Sequence, residues 1–157
     1  MKTFYHFTSL ERLPAIKREG LRLGDVPTSA RSGENGVWLT TDSSPSGHGL
    51  SVNREMTSQE RHFVLSWKGV LPPEGTRFED RTAVRIVIRK MPDIGQLVRW
   101  KRWGRRNCKS GIYDALIRGG GTKHGSWYVF FGIIPPENFA AIEFRNADLE
   151  FFPQAEP

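Results

Sequence analysis

Cysteine is nearly absent from this chain of 157 residues, Cys108 being the only one. A single thiol excludes an internal disulfide framework and leaves no cysteine set for a structural zinc, so a reducing, cytoplasmic setting is expected. Long apolar runs are missing as well. No stretch approaches the roughly 20 residues of a membrane span, so no membrane partner is expected. The opening "MKTFYHFTS" has one lysine and none of the apolar length of a secretory signal. There is no internal repeat and no low-complexity segment, which excludes solenoids and propellers. Histidines number four, and His48 and His62 stand at no metal-ligand spacing from an acid or another histidine, so no metal is expected. Acids are scarce in one region above all. From Arg85 to Lys109 nine bases face a single acid, Asp93, in a chain whose net charge is +6. The remainder is therefore slightly acidic, and one segment owns the basicity. Such a stripe suits nucleic acid or another polyanion, or else a solvated helix face.

What is present is ordinary for a globular protein: 38% hydrophobic and 25% charged residues. The length predicts one domain, placed at 1–150, with 151–157 as a frayed tail. "KTFYHFT" and "GVWLTTD" read as strands, as do "HFVLSWK" at 62–68, "TAVRIVIRK", "SWYVFFGII" and "FAAIEFR". "PAIKRE" reads as a short helix with Pro14 in its first turn and Gly20 as its stop. Residues 43–61 read as a long polar loop. Asp93 caps a helix over "IGQLVRWKRW" that ends near Gly104, and "IYDALIR" forms another that ends at the glycine run 119–121. Strands that outnumber the helices, without βαβ alternation, predict an α+β fold with mostly antiparallel pairing.

Three groups of residues bear on chemistry. His6 and Thr8, two apart on a strand, point to one face, with Thr40 and Thr41 ending the second strand. A strand histidine serves either as a satisfied core residue or as a hydrogen-bonding group at a cleft. Arg99, Lys101, Arg102, Arg105 and Arg106 flank Trp100 and Trp103, which share a helical face with Leu97 and so read as an apolar stripe, leaving the cations for a polyanion. "GGGTKHG" reads as a flexible loop or a backbone cradle for phosphate.

"YHFTSLERLPAIKREGL", followed by "GVWLTTD", resembles the opening of proteins with the ADP-ribosyltransferase-like fold, in particular DNA-modifying ADP-ribosyltransferase toxins and RNA 2′-phosphotransferases. "SWYVFFGIIPPENFAAIEF" is similar to the ending of small members of that group. The resemblance covers strands at both ends of the chain and not the middle, about 43–125. It implies two small sheets around a cleft, with two to three helices, that holds NAD. His6 would then meet a ribose hydroxyl with Thr8 beside it, and Trp38, Thr40 and Tyr128 (or Trp127) would complete the NAD site, an aromatic ring stacking on the nicotinamide. A carboxylate would stabilise the sugar cation left when nicotinamide departs. Where family transferases carry a glutamate, this chain has Ser126, and Glu143 is the nearest strand carboxylate. The implied function is NAD-dependent ADP-ribosyl transfer to a nucleic acid or protein. The alternatives are a basic nucleic-acid-binding module without transferase activity and a ribonuclease or phosphotransferase using His6 and His124.

Overall fold

In the computed structural model, residues 2–22, 24–148 and 150–153 are described, the side chain of Trp67 aside. The opening aromatic segment becomes β1 (Phe4–Thr8), which lies at the centre of a seven-stranded antiparallel sheet. On one side it pairs with β5 (Val84–Ile88), then β8 (Phe139–Arg145) and β9 (Phe151–Pro153). On the other side stand β4 (Val37–Thr40), β7 (Trp127–Phe130) and β6 (Leu97–Arg99). A separate ribbon joins β2 (Asp25–Pro27) to β3 (Gly33–Asn35). The α+β class with antiparallel pairing is as the sequence predicts.

The expectation of two small sheets meets one large sheet and a ribbon, and the physical reason lies at its middle. β1 and β5 pair over the whole of β1, from Phe4 opposite Ile88 to Thr8 opposite Val84. β1 and β4 share a single register pair, Tyr5 with Thr40. The sheet is therefore continuous there but split: past Tyr5 the two halves part, and the gap between them is where the cavity opens.

The helices number four among the described residues: α1 (Leu13–Glu19), α2 (Ser58–Lys68), α3 (Trp100–Asn107) and α4 (Ser110–Gly119). α1 begins with Pro14 in its first turn and stops at Gly20, as the sequence predicts. Gly20 has φ +79°, and a Cβ there would meet the Ile134 carbonyl oxygen at 2.4 Å. Only glycine fits, because the next residue, Leu21, exchanges both backbone hydrogen bonds with Ile134.

Three segments differ from expectation. "HFVLSWK" is helical, part of α2, whose start is fixed by a reciprocal capping box between Thr57 and Glu60. "IGQLVRWKRW" is not one helix. Asp93 caps a single 3-10 turn (Ile94–Gln96), Leu97–Arg99 joins the sheet as β6, and α3 starts only at Trp100. The frayed tail is a strand over its first residues, since Phe151–Pro153 pair with β8; residues 154–157 lie outside the described residues.

Two apolar clusters sit on the sheet. One joins Phe4, Ile86, Ile88, Leu39 and Phe130 to Leu13 and Leu21 from α1 and its exit. The other is aromatic: Trp100 and Trp127 with Val26 and Val129, flanked by Trp38, Trp103 and Tyr113. Trp100 is fully buried, its ring centroid 4.8 Å from that of Trp38. Gly104 lies directly against it, with room for a Cβ only 3.0 Å from the indole.

Candidate functional site

A cavity of about 950 Å³ occupies the split between β1 and β4, near the upper end of the roughly 300–1,000 Å³ usual for ligand sites. Its floor is the diverging strand edges, Tyr5–Thr8 and Trp38–Thr40. α1 supplies Arg12 at its cap and Ile16 and Glu19 along its length, and the ribbon supplies Asp25. The loop bearing His48 and the end of α4 at Gly119 and Gly120 close the remaining side.

His6 spans the split. Its Nδ1 lies 2.9 Å from the Trp38 carbonyl oxygen. A carbonyl only accepts, so Nδ1 carries the proton and Nε2 is the acceptor of the neutral ring. Burial holds the imidazole below its ordinary pKa. The Trp38 carbonyl opposes that shift, while the Arg81 and Arg12 charges add to it. At neutral pH the cavity is therefore lined by an uncharged histidine with one lone pair to offer.

Arg12 and Arg81 also line the cavity. Glu79 bridges them, its carboxylate 2.7 Å from Arg12 Nε and 3.9 Å from Arg81 Nε. Burial, and then the neighbouring Arg12 charge, pull the Arg81 guanidinium below its ordinary value, with Glu79 opposing. Two guanidinium groups thus share one carboxylate beside a neutral histidine, so this corner of the cavity carries one uncompensated positive charge, while acids stand elsewhere on the wall. Of the acids lining the cavity, Glu19 is paired with Arg18 and Arg22. Glu11 and Asp25 have no ion-pair partner among the described residues. Asp25 adjoins Trp38, whose indole N–H donates to the Asp25 carbonyl oxygen at 2.9 Å.

A second histidine forms part of the far wall. Trp127 donates its indole N–H to His48 Nδ1 at 2.8 Å, so the neutral His48 ring carries its proton on Nε2. That nitrogen is buried without a hydrogen-bond partner, 4.0 Å from Asp42 Oδ2. Burial lowers the His48 pKa, and Asp42 opposes it only in part. Burial alone would raise the Asp42 carboxyl, but Lys123, 2.6 Å away, and the Ser44 N–H outweigh it and hold it low. The glycine run 119–121 has a packing role here. A Cβ on Gly49 would meet the Gly119 carbonyl oxygen at 2.5 Å, and one on Gly121 the Gly47 carbonyl oxygen at 2.4 Å. These glycines let the two backbones close on each other and seat His48.

The residues singled out from the sequence separate as follows. His6, Thr8, Trp38 and Thr40 all line the cavity. Thr8 is buried, and the Thr40 hydroxyl is engaged by Ser126 Oγ at 2.7 Å and by the Asp42 N–H at 3.1 Å. Tyr128 does not line it. Its ring packs edge-on to Phe4 and its hydroxyl meets Lys2, at a separate hollow. Glu143 does not line it either, because its register partner in the sheet is Arg85, whose Nε donates to the carboxylate at 2.6 Å. Ser126, where the family pattern has glutamate, holds Thr40 and the Lys123 carbonyl. Arg99, Lys101, Arg102, Arg105 and Arg106 are exposed, outside the cavity. Arg12, Arg81 and Asp25 were not singled out. They lie in a helix cap, a turn and a short ribbon, where no periodic pattern marks them. Among the described residues, no three His, Cys, Asp or Glu side chains cluster as a metal site would need. Compared with known proteins, the chain matches no family model, no curated sequence and no solved structure.

Proposed function

We propose that the cavity binds NAD and that the protein transfers ADP-ribose from it to an acceptor. The observation that carries this reading is His6, which crosses the split in the sheet with its Nδ1–H on the Trp38 carbonyl and keeps Nε2 as an acceptor inside the cavity wall. A ribose hydroxyl donates to Nε2. The diphosphate meets the Arg12 and Arg81 guanidinium groups, which Glu79 only half neutralises. The nicotinamide ring lies on Trp38, whose indole is held in place by the Asp25 carbonyl. The resemblance of "YHFTSLERLPAIKREGL" to ADP-ribosyltransferase-like proteins supports the same ligand.

In such a transfer the C1′–N bond breaks, and its electron pair leaves with neutral nicotinamide. A lone pair of the acceptor forms the new bond at C1′, and the acceptor's proton passes to a base. The chain's own contribution is to hold the sugar, neutralise the phosphates and face the developing positive charge with a carboxylate. Asp25 takes that role in place of Glu143, because it lines the cavity, its backbone carbonyl holds the Trp38 indole, and its carboxylate has no ion-pair partner among the described residues. The test is nicotinamide release from NAD by the purified chain. Release that is lost in Asp25→Asn while NAD binding persists is the expected outcome. A folded wild-type chain that releases none with any acceptor supplied overturns the transferase reading.

A further inference from the structure

We infer that α3, together with a hollow beside β6, forms a binding surface for single-stranded nucleic acid, separate from the His6 cavity. At 100° per residue, Lys101, Arg102, Arg105 and Arg106 fall within one arc of α3, while Trp100, Trp103 and Gly104 fall on the opposite side. The structure seats that opposite side: Trp100 and Gly104 are buried, and Trp103 packs on Phe131 with ring centroids 5.0 Å apart. The four cations are exposed, and none has an acidic partner within 4.0 Å among the described residues. The helix is thus a firmly anchored rod with an unneutralised cationic face. Surface cations are usually interspersed with acids, and the absence of acids on this face is what points to a polyanionic partner.

The hollow extends this face. Arg99 stands at the residue before α3 and also lines a depression of about 360 Å³ with Lys2, Thr3, Thr41 and Tyr128. The Lys2 ammonium lies 5.7 Å from the centre of the Tyr128 ring and 3.3 Å from its hydroxyl. Two cations and a phenol around a small depression suit one nucleotide, its phosphate between Lys2 and Arg99 and its base against the tyrosine. A base can enter such a hollow only when it is not paired in a duplex, which selects a single strand. The hollow and the cavity share Tyr5 as their one common lining residue, and no α3 residue lines the cavity.

The experiment measures binding of oligothymidylate, the matching duplex and polyglutamate to the full chain across a salt series, with NAD binding measured in parallel. Six contacts, from Lys2, Arg99 and the four α3 cations, predict a log–log salt slope of about −4 for the single strand. In Arg102→Ala/Arg105→Ala/Arg106→Ala the slope falls to about −2, with NAD binding and thermal stability unchanged. In Lys2→Ala/Arg99→Ala the single strand loses affinity and the duplex does not. A triple variant with the wild-type slope, a duplex bound more tightly than the single strand, or polyglutamate bound equally well would each overturn the inference. Because this surface lies outside the cavity, failure to bind NAD leaves it standing, and its own failure leaves the cavity reading standing.

Discussion

Asparagine and glutamine at position 6 separate the two jobs assigned to His6. An asparagine amide nitrogen reaches about as far as Nδ1, so His6→Asn retains a donor for the Trp38 carbonyl, now 2.9 Å from Nδ1. It has nothing at the position of Nε2. Glutamine reaches about as far as Nε2 and loses the bridge. Alanine removes both. Each hydrogen bond contributes about 0.5–1.5 kcal/mol. For a chain of this size 1 kcal/mol moves Tm by about 2–4 °C. His6→Asn should therefore melt close to wild type yet bind NAD about 2- to 13-fold more weakly. His6→Gln should melt about 1–6 °C lower and retain more of the affinity. His6→Ala should show both losses. Thermal unfolding followed by dichroism gives the first quantity and calorimetric titration with NAD the second. If His6→Asn binds NAD as tightly as wild type, Nε2 touches no ligand and the reasoning fails, whatever the melting temperatures.

Stability should also depend on mild acid. His6 and His48 both have pKa values held below the ordinary histidine value, first by burial. The unfolded chain then takes up protons first as pH falls through about 6.5, so the folded state loses up to about 1.4 kcal/mol per pH unit for each histidine. Asp42, Asp80 and Glu60, all depressed and Glu60 to about 2, lose their contribution only at lower pH, as the acid range of carboxylates is entered. Denaturant melts between pH 7 and 5 should show a slope that shrinks in His48→Gln; a flat profile in wild type would contradict the burial argument. Trp100→Ala, at a fully buried indole, should cost about 3–5 kcal/mol by urea unfolding, and a loss under 1 kcal/mol would mean that α3 is not anchored as described.

Much of the frame was legible because its signals are local. The aromatic and β-branched runs at 4–8, 37–40, 84–88, 127–130 and 139–145 are strands, and Pro14 and Gly20 bracket a helix as their backbone restrictions require. α2 runs against its local composition: Phe63, Val64 and Trp67 favour strands, while Thr57 and Glu60, three residues apart, carry the capping signal that starts the helix. β6 was hidden inside an apolar stripe that suits a helix, and the edge of β7 decided its conformation by pairing. The site was legible only where residues share a strand. His6 and Thr8 both line the cavity, but so do Tyr5 and Phe7, which alternation puts on the other face, because the cavity opens along the strand edge. Arg12 and Arg81 meet through Glu79 because tertiary folding brings a helix cap to a distant turn. Nothing local says that Arg85 will lie opposite Glu143 and occupy its carboxylate; that is a fact of β5–β8 register. The glycine run was legible as backbone freedom but not as the contact that seats His48.

Calorimetric titration of the folded chain with NAD decides whether the split between β1 and β4 is the dinucleotide site we propose. Saturable binding at one site per chain is expected, weakened in Arg12→Ala/Arg81→Ala and in His6→Asn. No binding at millimolar NAD by a chain shown to be folded, or binding untouched by both variants, would contradict that assignment.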